Sequence, residues 1–266
     1  MSRILSLVCA ACVAIFPMAT HAGSSNASQS VLPAADVAAF SDQVQQDLAA
    51  RGVQVAIVAR MGRDPDTLPD GITYTHLGFW VYSTISTADG STGTGYRVFN
   101  LYQRNGDRTT SDLVQDSPAD FFAGAKRLDA GIIIPDPRLQ RRLLSVIQSP
   151  TYAALHNPRY SVLANPANDQ FQNCTEHTLN VLMAALYDTS NKARIKANIA
   201  AHFTAQPIEI DGLQRALAPT LSQALTTADH GEQVATATFG SVARFMAQHG
   251  LALQTYRITP GGAVRY

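Results

Sequence analysis

The chain has almost no cysteine. Of three, Cys9 and Cys12 sit in the N-terminal apolar run, and Cys174 stands alone in everything that follows. A disulfide framework is excluded beyond that run, so the remaining thiol is either a small buried apolar residue or a reagent. An excess of one charge is missing too. The 20 basic and 20 acidic residues cancel, and no run of like charge exceeds a few residues. That excludes the electrostatic footprint of a protein reading nucleic acid or an anionic membrane surface. Beyond that run no Cys-x-x-Cys spacing occurs, and no His-x-x-x-His spacing occurs at all, so neither a metal nor another cofactor is expected. No internal repeat is visible, and no second apolar run of spanning length follows the first.

The first run reads as an export signal. Arg3 is the only charge in the opening stretch, Ile4 to Ala19 is nearly unbroken apolar sequence, and Thr20-His21-Ala22 places small residues where a signal peptidase reads. The run is shorter than the roughly 20 residues of a spanning helix, so no integral anchor is expected in the mature form. The expectation is a signal over residues 1–22, cleavage after Ala22, and a periplasmic or secreted product. Residues 23–35, rich in Ser, Gly and Asn, read as a flexible N-terminal segment. Residues 36–266 read as one α+β domain, a small antiparallel sheet packed on helices, with a helical extension over about 190–250. At 46% apolar residues the chain can bury a full core.

Periodicity supplies the elements. Ala38, Phe40, Val44 and Leu48 form a helical stripe over 36–51, which Gly52 closes. Val53 to Val58 is a β-branched strand. Ile72 to Ser83 alternates as a strand, with Tyr74, His76, Gly78, Trp80 and Tyr82 on one face. Tyr96 to Gln103 is its hairpin partner across the Ser/Thr/Gly turn from Ser86 to Gly95, with Tyr96, Val98, Asn100 and Tyr102 sharing a face. Helices are predicted over 117–126, 136–148, 175–186, 191–202, 212–225 and 234–249. The second opens on Asp136-Pro137, a cap followed by proline at the first helical position. A last strand is predicted over 251–258.

Cys174 begins one of these helices. Asn173 is a good N-cap and Glu176 follows at capping-box spacing. A helix N-terminus puts partial positive charge and free N–H groups beside the sulfur, which favours a thiolate and can hold an oxyanion. The other reading is a buried cysteine starting a core helix. A nucleophile needs a base. His177 is one turn away on the same helix and poorly placed to aim its ring at the sulfur. His156 lies in a Leu-His-Asn-Pro loop, and His202, His230 and His249 fall near helix ends. His76 is mid-strand beside Gly78, either a base or a core histidine satisfied by a hydrogen bond.

Two stretches carry a family resemblance. Thr75-His76-Leu77-Gly78-Phe79-Trp80 resembles the His strand of circularly permuted papain-like enzymes, the NlpC-type amidases and lecithin–retinol acyltransferase-like proteins. Asn173-Cys174-Thr175-Glu176-His177 resembles their nucleophile helix, in the permuted order His before Cys. The resemblance covers about residues 72–188. It implies a permuted papain-like fold with Cys174 as nucleophile and His76 as base. It also implies a third polar residue on the strand after the His strand, for which Asn100 is the candidate; the alternative for Asn100 is a sheet residue bonding to a loop. By the same resemblance Tyr160 is an oxyanion donor, with Gln172 as a competitor. Trp80 and Tyr82 are candidates for lining a substrate groove, the alternative being core packing. Thr175-Glu176 departs from the small and acidic pair usual after the nucleophile, and two helices intervene between hairpin and cysteine.

The function expected is an exported cysteine hydrolase or acyltransferase working through a thioacyl intermediate. The compartment favours peptides of the cell wall, peptidoglycan included, over lipid acyl esters. The rival is a non-catalytic envelope binding or scaffold protein that keeps the fold.

Overall fold

A computed structural model describes residues 30–86, 90–210, 212 and 222–266. The expected export signal and most of the segment from 23 to 35 lie outside these residues. Among them, no helix is long and apolar enough to cross a membrane.

The fold is α+β, built on one seven-stranded sheet. In chain order the strands are β1 (Val55–Met61), β2 (His76–Ser86), β3 (Thr92–Gln103), β4 (Ser111–Asp116), β5 (Arg127–Pro135), a two-residue β6 (Gln206–Pro207), β7 (Ala235–Thr236), β8 (Ala252–Thr259) and β9 (Gly262–Arg265). The large sheet runs β4-β3-β2-β1-β5-β8-β9, and every recorded pair in it is antiparallel. β6 and β7 form a separate small pair.

Helices cover both faces of this sheet. On one face lie α1 (Ala34–Ala50) and α2 (Pro118–Ala123), packed on Ala56, Val58, Trp80, Val98 and Ile132. On the other lie α3 (Pro137–Ile147), α4 (Pro150–Ala154), α5 (Cys174–Tyr187), α6 (Lys192–His202) and α7 (Phe239–Gln248), packed on Ile57, Ala59, Leu77, Phe79 and Ile133. Alternate residues of β1 and β2 thus feed two cores, as the period of two requires. The sheet is larger than the small one expected, and its central strands β1 and β5 are buried on both faces.

Local start signals hold where the side chain can act alone. Asp136 Oδ1 accepts from the N–H groups of Arg138 and Leu139, 2.9 and 3.3 Å away, with Pro137 at the first helical position. Asn191 caps α6 in the same way. Elsewhere the expectations shift. The strand expected from Ile72 starts at His76, and the hairpin arms run three and four residues further into the turn. β4 and β5 were not anticipated. The helix expected over 234–249 begins only at Phe239, because Thr238 and Ser241 build a reciprocal capping box there while Ala235–Thr236 pairs as a strand. Most of the helix expected over 212–225 lies outside the described residues; Gln223–Leu225 is a single 3₁₀ turn.

The expected C-terminal extension is no appendage. Ile195 and Ile199 of α6, with Phe239, Val242, Phe245 and Met246 of α7, fill the same core as α5. β8 then enters the sheet directly beside β5.

Candidate active site

The site lies where β2 and β3 part. Their ladder runs from Ser86↔Thr92 to Phe79↔Phe99, and His76 to Gly78 lie beyond it, paired only with β1. The N-terminus of α5 comes to this opening. The Cys174 thiol lies 4.0 Å from the Thr75 carbonyl and 3.9 Å from Thr175 Oγ1, and the Leu77 main chain lies near enough to favour the thiolate. The sulfur is therefore held by the main chain on either side of His76.

His76 Nε2 is 2.7 Å from Asn100 Oδ1. The Asn100 amide cannot be turned over without loss, because its Nδ2 donates to Val114 O at 3.0 Å and Asp116 Oδ2 at 3.4 Å. The oxygen therefore faces the imidazole, and Nε2 carries the hydrogen. In the neutral ring that leaves a bare lone pair on Nδ1. Nδ1 is buried and has no hydrogen-bond partner among the described residues. This is the tautomer a base requires.

Gly78 makes the pairing possible. A Cβ there would fall 2.7 Å from Asn100 Cβ and 2.9 Å from the Phe99 carbonyl. With no side chain at 78, Asn100 leans across β2 and reaches His76 on the same face.

Aromatic walls hold the imidazole. Tyr102 stacks on it at 4.5 Å and 9°, and Phe121 of α2 lies tilted at 5.4 Å. Arg60 of β1 is the register partner of His76; its guanidinium lies 5.9 Å from the Tyr102 ring centre and 5.5 Å from that of Phe121. Burial first, and the Arg60 charge second, hold His76 well below the usual imidazole range. Cys174 departs from expectation. It is 5% exposed beneath Leu101, Tyr160 and Ala224, and burial pushes the thiol up. The Leu77 and Thr175 contacts and the Arg60 charge pull the other way and do not win. The resting pair is a neutral thiol and a neutral imidazole.

The remaining candidates divide. Tyr160 packs against Cys174. Gln172 is fully buried with its amide committed to the loop ahead of the helix: it accepts from Asn157 N at 2.8 Å and donates to Leu155 O at 3.1 Å. It braces that loop and is not brought to the thiol. Trp80 is fully buried among Tyr96, Phe121 and Phe122, so it is core and lines no groove. Tyr82 is half-buried, with its hydroxyl on Thr94 Oγ1. The capping box at Asn173 is one-sided. Asn173 Oδ1 accepts from Glu176 N at 2.9 Å, whereas the Glu176 carboxylate pairs with Lys196 of α6. That carboxylate is pushed up to about 8 by burial.

Sequence reading missed Arg60, Tyr102, Asp116 and Lys196. Only Arg60 left a signal, as the one charge in the apolar strand Val55-Ala56-Ile57-Val58-Ala59-Arg60-Met61.

These elements define an α+β protein with a buried cysteine opening a helix, beside a histidine–asparagine pair on adjacent antiparallel strands. The chain belongs to the family described as "Uncharacterized protein conserved in bacteria (DUF2145)", which matches residues 47–246 and takes in every residue of the site. No curated protein matches the chain, and no solved structure does.

Two outcomes follow from this geometry. Gly78→Ala forces β2 and β3 apart and is expected to cost about 1–3 kcal/mol in urea unfolding, together with loss of the His76 Nε2–H resonance in NMR. His177 is buried against Tyr152 at 4.8 Å with neither ring nitrogen bonded, and burial lowers it to about 3. Its folded value lies below the unfolded one, so its share of stability is present above about pH 6.5 and is lost as pH falls toward 3. His177→Phe keeps the edge contact and removes both orphaned nitrogens. It is expected to gain about 1 kcal/mol at pH 7 and to flatten the acid side of the stability curve; an unchanged curve would assign the acid loss elsewhere.

Proposed function

We propose that this chain is a cysteine-dependent acyl-transfer enzyme of the circularly permuted papain-like type, acting on an amide or ester. The observation that carries the reading is the bare, unpartnered Nδ1 of His76, whose other nitrogen is fixed by Asn100, on the strand segment that holds the Cys174 sulfur.

In this reading Nδ1 takes the thiol proton and the sulfur attacks the carbonyl carbon. The C–N or C–O bond breaks, and the leaving group departs with the proton that His76 returns. Water or another acceptor, deprotonated by His76, then attacks the thioester and releases the acyl group with the thiol restored. The oxyanion needs donors. The N–H groups of Glu176 and His177 are already taken by Asn173, and that of Thr175 lies on the sulfur. The N–H of Cys174 remains, with the Tyr160 side chain assigned as its companion. Because Leu101, Tyr160 and Ala224 cover the thiol, a substrate reaches it only when one of them gives way. An exported product would meet cell-wall peptides first, and these are the substrates we assign ahead of acyl esters.

The sealed, uncharged thiol is the observation that favours the rival, a binding module with no turnover. Alkylation of Cys174 by iodoacetamide, followed against pH, separates the two. An enzyme is expected to react in a His76-dependent manner. A slow reaction, identical in His76→Ala, would leave the scaffold reading. Against a cell-wall amide, Cys174→Ser is expected to abolish turnover, and His76→Ala to reduce it about 10²–10⁴-fold, with folding intact.

The acid limb of activity has a defined sign. Arg60, Tyr102, Phe121 and Asn100 face His76, and Asp116 lies behind Asn100. With His76 held below its ordinary range, activity is expected to persist well under pH 6.5 and to fall only as the imidazole protonates. Asn100→Asp adds an anion and is expected to move that limb upward; a limb that stays in place would separate Asn100 from the base.

A further inference from the structure

Arg60 is a buried charge with no ion-pair partner among the described residues; the Tyr102 side chain lies within its hydrogen-bond reach, and Asp116 is within electrostatic reach. It is 1% exposed, and among the described residues Nε and Nη1 have no hydrogen-bond partner. Among the described residues no carboxylate lies within ion-pair distance of it. Room for it is built in, since a Cβ on Gly124, at the end of α2, would fall 1.7 Å from Nη1. The rings of Tyr102 and Phe121 lie near the outer limit of a cation–π contact. They do not replace the missing hydrogen bonds, and a desolvated guanidinium left unpaired is costly. Arg63, just past the end of β1, repeats the pattern on a smaller scale: its Nη2 is buried and without a partner. Both cations lie in the neighbourhood of the nucleophile. Arg60 is within electrostatic reach of the Cys174 sulfur, and Arg63 is within reach of Tyr160, which packs on that sulfur.

We propose that Arg60 and Arg63 form an anion-binding subsite beside Cys174, and that the acyl substrate carries an oxyanionic group, a carboxylate or a phosphate, close to the bond that is broken. The inference rests on Cys174 being the nucleophile. A guanidinium fork suits both anions, because it can donate two parallel hydrogen bonds to neighbouring oxygens. The orphaned N–H groups are then satisfied only in the bound state, and a substrate lacking the anion pays for them.

The test compares two alkylating reagents of nearly the same size, neutral iodoacetamide and anionic iodoacetate, on the full chain. In both, the sulfur–carbon bond forms as iodide leaves and the thiol proton is lost. The ratio of their rates cancels the thiolate fraction, so it reads anion recognition apart from any effect on the thiol. In the native chain the iodoacetate/iodoacetamide ratio is expected to exceed that of a small free thiol by about tenfold or more. It is expected to fall to the free-thiol value in Arg60→Gln and part-way in Arg63→Gln, and to be retained in part by Arg60→Lys. Acetate and inorganic phosphate should each slow iodoacetate saturably, and the one that protects at lower concentration identifies the anion. Should Arg60→Gln fail to fold, Arg63→Gln and the two protection curves decide. A native ratio equal to that of a free thiol, unmoved by Arg63→Gln, overturns the subsite while leaving a His76-dependent iodoacetamide reaction intact. A slow, His76-independent reaction with a raised ratio removes the enzyme reading and keeps the anion site. Failure of both reagents to react removes both.

Discussion

The site depends on one cross-strand hydrogen bond, from His76 Nε2 to Asn100 Oδ1, and that bond depends on the absence of a side chain at residue 78. Antiparallel neighbours do not normally let one side chain lean over the next strand. Gly78 allows it, and the Asn100 amide is locked from behind by Val114 and Asp116. Because that lock fixes which amide atom faces the ring, it fixes the tautomer of His76, and the tautomer decides which nitrogen can take a proton. The parting of β2 and β3 just beyond Phe79 has a second consequence: it leaves the Leu77 main chain near the sulfur. One glycine and one interrupted ladder thus bring the His76 imidazole and the Cys174 sulfur to the same short stretch of main chain.

The surroundings work against ionisation. A helix N-terminus, a backbone N–H and a nearby guanidinium all favour a thiolate, yet burial beneath Leu101, Tyr160 and Ala224 outweighs them. Several other polar groups near the start of α5 are equally buried and incompletely satisfied: Glu176 Oε2, both nitrogens of His177, and Arg60. Such groups weaken a fold that could have been filled with apolar residues. Their concentration around one helix N-terminus is the pattern of a site assembled at the expense of stability.

The C-terminal third belongs to the same construction. Ala224 shares the small apolar cluster of Cys174, and its carbonyl accepts from the Val162 N–H at 2.8 Å. Lys196 neutralises Glu176 from α6. β8 then closes the sheet beside β5, and Arg257 on it pairs with Asp129. Residues far along the chain therefore determine the surroundings of Cys174 and the charge near it.

What could be read from the sequence was local. Asp136-Pro137 and Asn191 announce helix starts because a capping side chain bonds main chain two or three residues away. Strand alternation put His76 and Gly78 on one face, and Asn100 and Tyr102 on one face of the next strand, because a pleat has period two; Cys174 after Asn173 marked a helix N-terminus. The sequence by itself thus determined the α+β class, most element types, and the His76 and Asn100 positions that meet across β2 and β3. The tertiary structure alone decided the rest. β4 and β5 were hidden, one by short mixed polarity and one by burial on both faces, which erases alternation. Trp80 proved to be core because α1 and α2 cover that face. Gln172 was claimed by a loop, and Arg60 became part of the site only through its register with His76. The charge state of Cys174 was decided last, because desolvation is set by every chain segment that excludes water from the sulfur, and those segments are distant in sequence.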